Sequence, residues 1–103
     1  MKDRDRKAAF RRTKEWKMFR KYMFDKQEGK DYITGKKLYK RFNVHHCNMS
    51  VDDYDKLVED NFVALNSQMH DTVHILFRYY QKDKTILDRL KQVLDKMDEL
   101  NKK

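Results

Sequence analysis

The sequence predicts a small α+β domain, and three observations predict it. Apolar residues recur at helical spacing before residue 27 and again after residue 66. Between Phe42 and Cys47 they alternate with other residues at the period of a strand. Gly29 and Gly35, the only two glycines, bracket a turn-prone stretch that separates these regimes. The 103 residues leave room for one domain with a modest core. There is no proline, low-complexity tract or internal repeat, so residues 1–103 are read as one unit. Within it, 1–30 is a basic N-terminal helical segment, 31–80 the core, and 81–103 a C-terminal amphipathic helix.

The first helix is expected from about Thr13, a suitable N-cap, to about Lys26. Trp16, Phe19, Met23 and Phe24 fall on one face as core, while Lys14, Lys17, Arg20 and Lys21 crowd the rest. From Tyr32 to His46 the pattern suits a β-hairpin turned by Gly35-Lys36-Lys37. Ser50-Val51-Asp52-Asp53 resembles a capping box and predicts a short helix from Ser50. Phe62-Val63-Ala64-Leu65 reads as a short apolar link, followed by a helix from about Asn66 to about Tyr80. A last helix, about Lys84 to Leu100, sets Ile86, Leu90, Val93, Met97 and Leu100 at alternating spacings of four and three. Such a two-heptad seam is expected to pack on its own domain, with a homodimer through 86–100 as the lesser expectation.

Composition narrows the function classes. Charged residues make up 41% of the chain and aromatics 13%, which favours a folded domain over disorder. No apolar run approaches the length of a membrane span, and the opening MKDRDRKAAF is too charged for a secretory signal. The single cysteine, Cys47, cannot form an internal disulfide, which fits a reducing cytoplasm. Of the net charge of +8, residues 1–30 hold +7, with twelve Lys or Arg against five Asp or Glu. A basic region of this kind attracts phosphate backbone by counterion release without reading sequence. On charge alone, a solvated helix face is an equal alternative.

Four histidines carry the chemistry: His45, His46, His70 and His74. His70 and His74 lie four apart in a predicted helix, so both project from one face, a natural two-point grip on a metal ion. His45 and His46 are neighbours on a predicted strand and must face opposite ways, so one can reach a metal while the other serves a different role. Read from spacing alone, a three-histidine metal site and four unrelated histidines stay level.

The full pattern reads His-His, fourteen residues, Asn61, eight residues, His70, three residues, His74. It resembles the HH-x14-N-x8-H-x3-H signature of the nuclease colicins, a branch of the HNH endonuclease superfamily. The segment from Arg12 to Arg20 is similar to the basic, Trp-containing helix of small phage-type HNH proteins. Asp31-Tyr32-Ile33-Thr34-Gly35 and Asn66-Ser67-Gln68-Met69-His70 stand where those proteins carry zinc-binding cysteine pairs. The resemblance covers roughly residues 10–78 and implies a ββα-metal (His-Me finger) core with flanking helices. Asp31, Thr34, Asn66 and Met69 are too hard and mixed a set for a structural zinc ribbon. Packing by Trp16, Phe19, Phe77 and Tyr80 is expected in its place.

The resemblance also implies residue roles. His45, His70 and His74 would hold one divalent cation on the scissile phosphate and leaving 3′ oxygen. His46 would be the general base, and Asn61 would orient it without touching metal. Asn43, on the His45 face, stands where the nuclease colicins carry an acidic residue that orients a metal-bound imidazole, so the chain departs from the pattern there. Magnesium, manganese, nickel, cobalt and zinc all suit the ligand set by affinity or availability. The expected products carry 5′-phosphate and 3′-hydroxyl ends, and low sequence specificity is expected because there is no separate recognition domain. Lys14, Lys17, Arg20, Lys21 and Arg41 are the candidate contacts to DNA, expected to be double-stranded. A phage packaging partner and host cytoplasm follow if the resemblance to phage proteins extends to origin. The competing readings are a non-cleaving nucleic-acid-binding module with a structural metal, and an interaction protein docking through 86–100.

Overall fold

The computed structural model describes residues 3–48 and 56–102. Among them the order is α1 (Asp3–Arg11), α2 (Lys14–Lys26), β1 (Asn43–His46), a 3₁₀ turn (Glu59–Asn61), β2 (Phe62–Leu65), α3 (Ser67–Lys82) and α4 (Ile86–Leu100). The fold is α+β: four helices and one two-stranded antiparallel sheet among the described residues. The helix predicted from Ser50 lies outside the described residues.

Helix α2 begins where its cap predicts. The Thr13 hydroxyl accepts from Trp16 N at 3.2 Å and donates to Phe10 O at 2.7 Å, so one side chain opens α2 and closes α1. The apolar face of α2 packs on the sheet: Met23 is 1% exposed, Trp16 and Phe19 meet the Phe62 ring, and Phe24 meets Phe42. The helix stops because Glu28 takes φ 57°, letting Glu28 N reach Asp25 O and Gly29 N reach Phe24 O. Gly29 itself needs its missing side chain, since a Cβ there would lie 3.0 Å from the Phe24 ring.

The predicted hairpin is corrected. β1 does not pair with residues 32–37; it pairs with β2 in the register Asn43↔Leu65, Val44↔Ala64, His45↔Val63, His46↔Phe62. Residues 30–37 instead form a tight turn with one bridge, Lys30↔Lys37, because Asp31 Oδ1 accepts from Ile33 N and Thr34 N and so bends the chain. The supposed link 62–65 is a strand whose Phe62, Ala64 and Leu65 are all buried, so it shows no alternation. Leu38, Phe42 and Ala64 form the core cluster, with Phe24 and Val44 against it. The open edge of β2 is covered by a side chain: Gln27 accepts from Ala64 N at 2.8 Å and donates to Ala64 O at 3.0 Å.

The chain divides into two units, Met1–His70 and Asp71–Lys103, the division falling inside the unbroken helix α3. In the second unit no described residue is buried. Phe77 and Tyr80 are 39% and 37% exposed, which corrects the expectation that they pack in place of a ribbon. Of the α4 seam, Ile86 is half-buried, while Leu90, Val93, Met97 and Leu100 are exposed, from 38% to 76%. Asp83 organises the entry to α4, accepting from Thr85 N and Thr85 Oγ1 and pairing with Arg89 at 3.0 Å. No described helix is long and apolar enough to cross a membrane.

Candidate functional site

Strand alternation sorts the two neighbouring histidines. Val44 and His46 share one face with Ala64 and Phe62, while Asn43 and His45 share the other with Leu65 and Val63. On the first face the His46 ring lies flat on Phe62, centroids 4.4 Å apart and planes 8° apart, with its Nε2 shielded from solvent. On the second, His45 is 7% exposed and meets the His70 ring edge-on at 5.1 Å. His74 follows His70 by four residues on the same unbroken helix. The structure brings His45, His70 and His74 together, each offering a ring nitrogen within 4.8 Å of the others. His46 is outside this cluster.

A tetrahedral ion with bonds of about 2.0–2.1 Å holds its nitrogens roughly 3.3 Å apart. Small rotations of the imidazoles would close the cluster to that spacing. His45 is buried, whereas His70 and His74 are half-buried. Three imidazole side chains, two of them partly open to solvent, are a donor set able to hold a borderline divalent cation and leave a coordination position for another ligand.

Hydrogen bonds set the start of α3. Asn66 O accepts from His70 N at 2.9 Å, the first bond of the helix. The Asn66 amide accepts from Tyr39 N at 2.8 Å and donates to Lys37 O at 2.9 Å. Asn66 N donates at 2.8 Å to Oδ2 of Asp31, a carboxylate only 2% exposed. Desolvation pushes that carboxyl up, but the N–H groups of Thr34, Asn66 and Ile33 and the Thr34 hydroxyl outweigh it and hold Asp31 below the usual range. Sequence reasoning saw Asp31 and Asn66 only as occupants of lost cysteine positions. The signal it passed over was the Asp-x-x-Thr-Gly turn chemistry.

The remaining predicted residues divide. Asn43 donates to Ser67 Oγ at 3.3 Å, tying β1 to the first residue of α3. Asn61 acts through its backbone: its carbonyl accepts from Cys47 N at 2.7 Å, closing the sheet just beyond His46. The adjoining Glu59 accepts from the Tyr22 hydroxyl and lies 3.5 Å from Lys26, fastening the turn to α2. Lys14 and Lys17 are exposed, and Lys21 pairs with Asp25 at 3.0 Å while staying exposed. Arg20 is committed internally, donating to Lys40 O and Phe42 O with its guanidinium 3.7 Å over the Phe42 ring. Arg41 is exposed and lines a cleft with Lys36, Tyr39 and Ser67. No protein-family model matches the chain, and neither a curated protein nor a solved structure shows significant similarity to it.

Proposed function

We propose that the chain is a metal-dependent DNA endonuclease of the HNH, ββα-metal type, acting in a cytoplasm where Cys47 stays reduced. The observation that carries this reading is the convergence of His45 from a strand with His70 and His74 from the helix after the next strand. Those are the residues, in the order β1–β2–α3, that the motif spacing marks as ligands. A divalent cation bound there would supply Lewis acidity to the scissile phosphate and the leaving 3′ oxygen. His45, His70 and His74 hold it through ring nitrogens. His46 takes a proton from the attacking water. Asn61 keeps the strand end carrying His46 closed. Exposed Lys14, Lys17 and Arg41 meet the DNA backbone.

The test is a plasmid-nicking assay with and without divalent metal, on wild type and His70→Ala. Metal-dependent nicking that vanishes in the variant supports the reading, and metal binding should raise the melting temperature by mass action. One observation favours a second reading, a DNA-binding module with a structural metal: His46 stacks on Phe62 on the strand face opposite the cluster. Binding of DNA and metal without any nicking would select it.

A further inference from the structure

The three clustered histidines come from two elements, so the cluster exists only if α3 starts at the right residue and in the right rotation. Each residue of slippage at a helix start turns every later side chain by about 100°. His70 and His74 would then leave the face that His45 looks onto. Helices ordinarily take their start from a capping side chain, yet the Asn66 side chain does not cap α3. It is spent on Lys37 O and Tyr39 N. What holds the backbone at this point is Asp31.

The Asp31 carboxylate is buried, and three backbone N–H groups satisfy it: Ile33 and Thr34 on Oδ1, Asn66 on Oδ2. From Oδ2 the chain of bonds is short: Asp31 carboxylate to Asn66 N–H, then Asn66 C=O to His70 N–H. Every polar group of Asn66 is thereby used, three of them on residues 31–39 and the fourth on a clustered histidine. A buried charge in such a network is costly to disturb, because an unsatisfied member loses water without gaining a partner.

We propose that Asp31, acting through Asn66, is a positioning residue of the His45–His70–His74 metal site. The proposal rests on the reading that these histidines bind a metal ion. Asp31 touches no ligand side chain; it dictates where the ligand-bearing helix begins. Asp31→Asn retains the size of the side chain but must present an NH2 group to one of the three N–H donors, so the Asn66 junction loosens.

The experiment titrates the full-length wild type, Asp31→Asn and Asn66→Ala with Co2+. Visible absorption reports site geometry, and circular dichroism reports folding at the titration temperature. The expected result is a loss of Co2+ affinity of about 10–100-fold in Asp31→Asn, the range for groups that orient ligands. Its saturated Co2+ band should also be shifted or weakened, a change that mere destabilisation of a still-folded chain would not cause. Asn66→Ala keeps the bonds to Asp31 and His70 but removes both amide clips, and it should lose affinity in the same direction. If Asp31→Asn does not fold, Asp31→Glu, which keeps the charge but moves the carboxylate by one methylene away from the Asn66 N–H, decides the matter by the same two readouts. Wild-type affinity and an unchanged Co2+ spectrum in a folded variant would overturn the positioning role, even with a lowered melting temperature. Failure of the wild type to bind Co2+ at all would instead overturn the metal site itself.

Discussion

His45 and His46 share a peptide bond and sit in different chemical worlds, one against His70 and the other flat on Phe62. Removing them should therefore fail differently. His45→Ala should lose metal affinity and cleavage together. His46→Ala should bind metal nearly as wild type while turnover drops by about 10²–10⁴-fold, the usual cost of a lost general base. Calorimetry beside single-turnover cleavage separates the two, and metal loss in His46→Ala would mean that the two histidines have exchanged roles. Asp31 makes a prediction of the same scale. Its carboxyl is held below the usual range, so its contribution is fully present above the unfolded value of about 3.9 and is lost as pH falls through the folded one. Urea midpoints of wild type should fall in that acid window, and those of Asp31→Asn should start lower and fall less. A variant that tracks wild type through the window would show that the carboxylate is not ionised in the folded chain. The residue itself was hard to find in the sequence, because a lone aspartate is ordinarily a surface group. Its burial depends on donors from residues 33, 34 and 66, and the last of these is distant in the chain.

At the scale of elements, legibility follows how local the determining physics is. Helix α2 was legible because its Thr13 cap and apolar face are both local, and the structure starts it at Lys14. β1 was legible from alternation, but its partner was not. β2 has residues buried on both faces, so its apolar run carries no period to separate strand from link. The three-histidine grouping was only half legible: i, i+4 spacing paired His70 with His74, but choosing His45 over His46 as their partner came from the resemblance to the HNH motif, because strand alternation says only that the two face opposite ways. The fastening of these elements was not, since it runs through polar side chains reaching backbone far away in sequence. Arg20 is the clearest example: counted among the DNA contacts, it donates to Lys40 O and Phe42 O and covers the Phe42 ring. Its loss should act on folding. Arg20→Ala should cost about 1.5–3 kcal/mol of stability by urea unfolding, the range for hydrogen bonds from a charged group. Arg20→Lys should recover only part of this, because an ammonium neither forks nor stacks as a guanidinium does. Unchanged stability in Arg20→Ala, with DNA affinity reduced, would return the residue to the DNA interface.

For the whole chain the deciding property is where the charge lies. Helix α2 carries five cations against two carboxylates, whereas α4 carries three against four, so the two helices offer a matched test of whether DNA is drawn to a place or merely to a basic protein. Nonspecific attraction to net charge would respond to any cation removed. Counterion release responds only to cations that sit on phosphates, and each such contact adds about one unit to the slope of log affinity against log salt. Changing Lys14 and Lys17 to Gln should therefore flatten the slope and weaken binding alike for unrelated DNA sequences. Changing Arg89 and Lys96 to Gln removes the same number of charges, and it should leave the slope unchanged within error. Arg89 is already engaged by Asp83, whose carboxyl is lowered to about 2 chiefly by the Thr85 hydroxyl and N–H and then by Arg89. The comparison is made by fluorescence anisotropy on two unrelated duplexes between low and moderate salt. Equal flattening by both pairs would show that DNA senses only the total charge, and the α2 face would then have no claim to be the nucleic-acid surface.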